Sequence, residues 1–254
     1  MLVKSNENYK NIRDEVDLIV GFTLISRKGR YVVKKNIVNK VVSTFLSMAM
    51  ILTLLPIEIS AESVFDGGDG TKDNPYQISS ADQLVFLGET EEDNYLSAHY
   101  KLEKDIDLSG KTMSPIGVPS SYSVDKYFTG GFDGDNHTIK NLTLSGEKYE
   151  ALFNGVKKTS DENGYIKNLK LDTISIKGTQ DVGSIIGYNY GGLIENCKVS
   201  NAEVIGVKEV GGLVGKNYYN GNYIGKIDKS SFEGNVSKDT NSTSSSSDFG
   251  GLVG

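Results

Sequence analysis

A five-residue phrase that returns along the chain limits its fold more than any other feature. Gly183-Ser-Ile-Ile-Gly187, Gly211-Gly-Leu-Val-Gly215 and Gly250-Gly-Leu-Val-Gly254 are successive copies, and Glu150-Ala-Leu-Phe-Asn154 is a degenerate one. They start 33, 28 and 39 residues apart. A second phrase follows the copies that start at Glu150, Gly183 and Gly211: Ile166-Lys-Asn-Leu-Lys-Leu171, Ile194-Glu-Asn-Cys-Lys-Val199 and Ile227-Asp-Lys-Ser-Ser-Phe232, with an earlier copy at Ile139-Lys-Asn-Leu-Thr-Leu144. The variation in length falls between the phrases, in polar stretches such as 157–164, 217–225 and the serine tract 241–247. A recurring period near 28 with polar insertions is the pattern of stacked supersecondary units.

Each repeat holds short runs of Ile, Val and Leu separated by Gly, Asn and Asp. Runs of two to four apolar residues are too short for helices. Asn141, Asn168 and Asn196 interrupt the alternation, and Asn tolerates the left-handed backbone of a sharp bend. The expected fold is therefore all-β, a right-handed parallel β-helix. Stacking should place Asn141, Asn168 and Asn196 above one another as a ladder of amides, ending where Lys229 takes the fourth position. The motif glycines are expected to let the backbone turn. Ser80-Ala-Asp-Gln83 is a capping box before Leu84-Val-Phe-Leu87, which predicts a short N-terminal helix at 81–88 covering the first coil.

Lys34, Lys35 and Lys40 precede an uncharged run, 41–57, that leads to Ala61. This has the parts of a signal peptide at 32–61, against an uncleaved anchor as the alternative. Residues 1–31 are an extension whose start codon is uncertain, 62–130 hold the cap and first coils, and 131–254 hold the repeats. The chain stops on Gly254 in mid-repeat, which predicts a piece of a longer protein with more copies. Membrane contact is expected only through the signal segment, and the location secreted, cell surface or cell wall.

Charge narrows the partners. Residues 1–61 carry nine Lys+Arg and five Asp+Glu, leaving 18 and 28 for residues 62–254, a net of −10. Nucleic acid is not an expected partner of so acidic a module. One Cys and two distant His leave no disulfide framework, zinc motif or metallopeptidase signature. No cofactor and no catalytic residue are expected.

The phrase Gly-Gly-Leu-Val-Gly followed by Ile-x-Asn-Cys resembles the GLUG repeat of bacterial surface proteins. Upstream, Phe65-Asp-Gly-Gly-Asp-Gly-Thr71, Asn74-Pro-Tyr-Gln-Ile78, Asp105-Ile-Asp-Leu108 and Phe128-Thr-Gly-Gly-Phe-Asp-Gly-Asp-Asn136 are similar to the N-terminal part of such proteins in Gram-positive bacteria. The resemblance implies a non-catalytic stalk or adhesin segment that contacts surface glycan or host protein. Because GLUG repeats also lie beside immunoglobulin-A-cleaving zinc metallopeptidase domains, the other implied role is an accessory region of a secreted zinc peptidase or polysaccharide-degrading enzyme.

Tyr188, Tyr190, Tyr218, Tyr219 and Tyr223 follow the Gly phrases in two adjacent coils and form the candidate contact face, with loop packing as the competing role. Asp105, Asp107, Asp133 and Asp135 offer carboxylates in turn-forming contexts, and turn chemistry is their expected role. Asp66-Gly-Gly-Asp-Gly-Thr-Lys-Asp73 lacks the ligand spacing of an EF-hand. Cys197 occupies an apolar column and is expected to be inert.

Overall fold

A computed structural model describes residues 64–117, 126–159, 164–219, 223–241 and 248–254. The expected extension and signal segment, 1–61, lie outside these residues. Most of the described chain is short strand, and the named strands pair in parallel across four sheets. The largest sheet runs in the order Tyr76–Ile78, His99–Leu102, Gly131–Asp133, Tyr165–Lys167, Leu193–Glu195 and Lys226–Asp228. Neighbouring strands in space come from successive repeats, so each repeat is one coil of a parallel β-solenoid.

Register carries the apolar columns inward. Tyr100, Phe132, Ile166, Ile194 and Ile227 are in line on the first sheet. Ile106, Ile139, Leu171, Val199 and Phe232 are in line on the second. Val182, Val210 and Phe249 form a third column, and Phe153, Ile186 and Val214 a fourth. Stacking like residues above like builds one continuous core; its last members are less covered, with Ile227 and Phe232 half-buried and Phe249 exposed.

Helix α1 (Ala81–Glu89) begins at Ser80, whose hydroxyl accepts from the Gln83 backbone while the Gln83 side chain accepts from the Ser80 N–H. That reciprocal pair satisfies two otherwise orphaned donors. Leu84 and Leu87 on its inner face are fully buried in the core.

The coils turn at stacked left-handed residues, and only some are the expected ones. One column contains Asn168 (φ 52°), Asn196 (φ 52°) and Lys229 (φ 47°). A second contains Asn141 (φ 59°), Thr173 (φ 55°) and Asn201 (φ 50°). A third contains Tyr149 (φ 59°), Asp181 (φ 56°) and Glu209 (φ 51°). Asn141 is therefore not in line with Asn168 and Asn196. Ile139 pairs with Leu171, not with Ile166, which moves its phrase one corner along the coil. The physical reason is that apolar–polar–Asn–apolar meets the demand of any corner: a buried strand residue, a solvated one and a tolerated left-handed bend. The phrase marks a bend without saying which bend.

The motif glycines also act differently from expectation. None of Gly183, Gly187, Gly211 and Gly215 has a positive φ. They are small because the adjoining backbone leaves no room. A Cβ on Gly187 would lie 2.6 Å from the Tyr149 carbonyl carbon and oxygen, and one on Gly215 would lie 2.2 Å from the Asp181 carbonyl carbon. Each left-handed residue of the third corner thus seats its backbone on the closing glycine of the neighbouring coil's phrase.

Candidate functional site

Of the tyrosines after the Gly phrases, Tyr188 and Tyr190 lie on the sheet formed by Phe153–Lys157, Ile186–Tyr190 and Val214–Asn217, and Tyr218, Tyr219 and Tyr223 follow its last strand. Asn189 is buried between the half-buried Tyr188 and Tyr190, as alternation requires, whereas Ile186 is buried on the opposite parity, so the pattern changes phase at Gly187. Tyr218 stacks on both: its ring centroid is 5.6 Å from Tyr188 at 27° and 5.2 Å from Tyr190 at 14°. Tyr223 lies 6.0 Å from Tyr190. Tyr219 is in none of these ring pairs; it bridges Ile224 and, with it, is exposed at 62 % and 68 %. Four of the five candidate tyrosines thus form one cluster.

Two further rings join it from earlier coils. Tyr127 lies 6.3 Å from Tyr188 and 6.4 Å from Tyr190, and Tyr149 meets Tyr188 edge-on at 5.6 Å. Lys157 Nζ sits 5.6 Å above the Tyr127 ring and 5.5 Å above Tyr190, and Lys158 Nζ sits 5.7 Å above Tyr223. Burial pushes the Tyr188 hydroxyl up to about 12. Because Tyr190 and Tyr218 lie nearly parallel, much of their flat surface is spent on one another. What this face offers outward is ring edges, hydroxyls and the Tyr219–Ile224 pair. Beneath it, the Asn189 carbonyl oxygen of the side chain accepts from Gly192 N–H at 2.8 Å, which fixes the end of the strand.

The corner amides are bonded coil to coil. Asn196 Nδ2 donates to Asn168 Oδ1 at 2.8 Å, and Asn168 Nδ2 donates to Asp133 Oδ1 at 2.9 Å. Asp133, rather than Asn141, is the partner of Asn168. Asn141 Nδ2 donates instead to Asp107 Oδ1 at 2.8 Å and Ser109 Oγ at 2.9 Å. Farther along the same corner, Asn201 Nδ2 donates to Asp172 Oδ1 at 2.8 Å. The Asn141 and Ser109 donors hold the Asp107 carboxyl down at about 2.

The remaining candidate carboxylates do not converge. Asp105 accepts from the Thr138 N–H at 2.8 Å, and Asp135 pairs with Lys101 at 3.0 Å. Cys197 is buried between Leu169 and Ser230 in its column, and burial pushes its thiol up to about 11. Among the described residues, no three Asp, Glu, His or Cys side chains are placed to hold a metal ion.

The third corner gathers charge that the motif reading overlooked. Asp181, only 1 % exposed, has its Oδ1 without a hydrogen-bond partner among the described residues. Burial and the adjacent Glu209 carboxylate push it up to about 7. Glu209 accepts from Lys216 Nζ at 2.7 Å and Gln180 Nε2 at 3.2 Å. Despite burial, Lys216, a hydrogen bond from Asp181 and the nearby Lys208 hold its carboxyl below the usual range. Glu150 is pushed up to about 7 by burial alone. The signal was available in sequence: Asp181, Glu209 and Asp248 each stand two residues before a Gly phrase.

The repeats can now be placed among known proteins. Residues 178–205 and 206–237 each match the family described as the GLUG motif. These two coils match the GLUG motif. Lys177 pairs with Ile205 and Ile205 with Ser237, so each motif is one complete turn. Over 125 residues the chain is 34 % identical to halomucin of Haloquadratum walsbyi, covering 48 % of this chain and 1 % of halomucin. Over 140 residues it is 34 % identical to a candidate Gly-rich membrane protein of Evansella cellulosilytica, covering 51 % of this chain and 15 % of that one. The chain thus spans a small part of either relative. A candidate immunoglobulin A1 protease from Bacteroides ovatus, solved at 1.30 Å, is 21 % identical with a TM-score of 0.47, covering 74 % of this chain and 67 % of that chain.

Proposed function

We infer that this chain is a non-catalytic module of a secreted or surface-attached protein, a β-solenoid stalk or adhesin segment that contacts a surface glycan or a host protein. The observation that carries this reading is the parallel, coil-to-coil register of the stack, with one slip at Ser200–Asn201. The same side chain recurs at the same place on successive coils, about 4.8 Å apart. Corner amides and carboxylates bond one coil to the next. Such a stack presents side chains at fixed spacing along a surface, which suits contact with an extended partner. The match to halomucin and to a Gly-rich membrane protein supports a surface location.

Arrays of glycans and of extracellular proteins, probed with the purified chain, test this reading. Retention on at least one ligand class, with the ligand recovered chemically intact, is expected. Cleavage of a retained ligand by the chain, or absence of retention on both arrays, would overturn it.

A further inference from the structure

The second sheet bears a groove of about 660 Å³ on its outer side, apart from the tyrosine face. Its shape follows from the second corner. The left-handed residues Thr173 and Asn201 kink the long strands Lys170–Lys177 and Lys198–Gly206 and fold their outer surfaces toward each other. One wall is the bend row Asn141, Thr173 and Asn201. The other is the row Thr143, Ser175, Glu203 and Asn235, which is in register across four coils. Between them runs a floor of Ile174, Ala202 and Gly234, also in register.

Three properties of this groove point to one kind of ligand. First, the floor of Ile174, Ala202 and Gly234 carries no charged or hydrogen-bonding side chain, and Gly234 is seated directly on the Ala202 carbonyl, which closes the bottom of the groove. Second, its bend-row amides are held in place. Asn141 and Asn201 each give Nδ2 to a carboxylate, of Asp107 and Asp172, which fixes the amide plane and leaves Oδ1 free of that bond. Third, the lining contains hydroxyls, amides and two carboxylates but no Lys or Arg. Among the described residues neither Glu203 nor Glu233 has a side-chain partner.

We propose that this groove binds an uncharged oligosaccharide lying along the stacking axis. Sugar rings present hydroxyls at their rims and C–H groups on their faces, which match the polar walls and the apolar floor. Four rungs at about 4.8 Å span about 14 Å, room for a few linked rings. The two unpaired carboxylates accept hydroxyl donors and repel uronic or sulfated chains. A basic peptide would pair with those carboxylates but leave the Ser and Thr donors unused. This inference rests on the glycan branch of the surface reading and names its ligand class and its site.

Calorimetric titration of the full chain with cello-, manno- and chitohexaose, a galacturonate hexamer and hexalysine tests it. At least one neutral hexasaccharide should bind, and the galacturonate hexamer should not. Glu203→Ala should weaken binding about tenfold, the value of one lost charged hydrogen bond. Ser175→Trp should abolish it by filling the groove. Both positions face outward, and an unchanged melting temperature checks that each variant is folded; Thr143→Trp serves if Ser175→Trp is not. Neutral binding that ignores these substitutions overturns the groove while the surface reading stands. Preference for the galacturonate hexamer or hexalysine overturns the ligand class. Failure of every hexasaccharide overturns the groove and the glycan branch together, leaving protein contact as the surface reading.

Discussion

Asp181 shows how one residue can tie a coil's stability to pH. Its carboxyl stays protonated in the fold up to about 7, well above the ordinary value of 3.8. Glu150 behaves alike. Between those limits the folded chain holds protons that the unfolded chain has released, so stability falls as pH rises. The fall starts near the ordinary carboxylate range and is complete above about 7. Glu209 works in the opposite direction, because Lys216 holds its pKa down. Lys208, Lys216, Tyr149 and Tyr188 are the other titratable groups around this corner. Asn is the isostere of a protonated Asp and tolerates φ 56°. Asp181→Asn is therefore expected to raise the melting temperature at pH 8 and change it little at pH 4. Equal shifts at both pH values would show that Asp181 is ionised in the fold. At Asn168 two roles coincide: a left-handed backbone and an amide bonded to Asp133 and Asn196. Asn168→Gly keeps the first and loses the second; Asn168→Leu loses both. Leu should cost about 1–3 kcal/mol and Gly less, measured by urea denaturation. Equal costs would mean that the bonds, not the bend, account for the whole effect.

At the scale of the element, the repeat phrase was legible and its placement was not. Phe153 and Ile186 align in space as their phrases align in sequence, and so do Ile166 and Ile194. Ile139 does not, because its phrase sits at a different corner. Local sequence specifies how a strand bends, whereas register is decided by which columns bury together. The tyrosine cluster divides in the same way. Tyr190 and Tyr218 share a repeat position, three residues after the phrase, whereas Tyr188 stands where the next coil has Lys216, and Tyr127 and Tyr149 have no such signature and arrive only through stacking. The acidic row before the Gly phrase escaped attention because charge beside a turn reads as solvated, yet stacking buries it. The motif glycines give the sharpest test at this scale. Gly215→Ala places a methyl 2.2 Å from the Asp181 carbonyl carbon and should destabilise by about 1–3 kcal/mol or more. Gly251 has nothing within 4 Å of its would-be Cβ, so Gly251→Ala should be close to neutral. Chemical denaturation of both variants checks the contrast; equal effects would remove close backbone approach as the reason for the motif's closing glycine.

For the stack as a whole, stability is a sum over coils and their interfaces, so it need not be uniform. The strand Lys170–Lys177 buries Leu171, Ile174 and Ile176 between neighbours on both sides. Ser231–Lys238 has no buried residue, and Phe249 and Leu252 are exposed. At the second corner, Ser200 and Asn201 of one coil face Glu233 alone, a slip in register that removes one residue of pairing. The column next to Asn196 changes from Cys197 to Ser230, exchanging an apolar contact for a hydroxyl bonded to the Cys197 N–H at 3.0 Å. All these differences weaken the same coil. Amide hydrogen exchange should therefore be slowest in Tyr165–Lys177, intermediate in Leu193–Gly206 and fastest in Lys226–Lys238. Because the coils act through their interfaces, Asn168→Leu should speed exchange in both neighbouring coils, and more in the weaker Leu193–Gly206 direction. Uniform protection across all three segments would mean that the chain unfolds as a single unit, and the additive picture of a stack of separable coils would have to be given up.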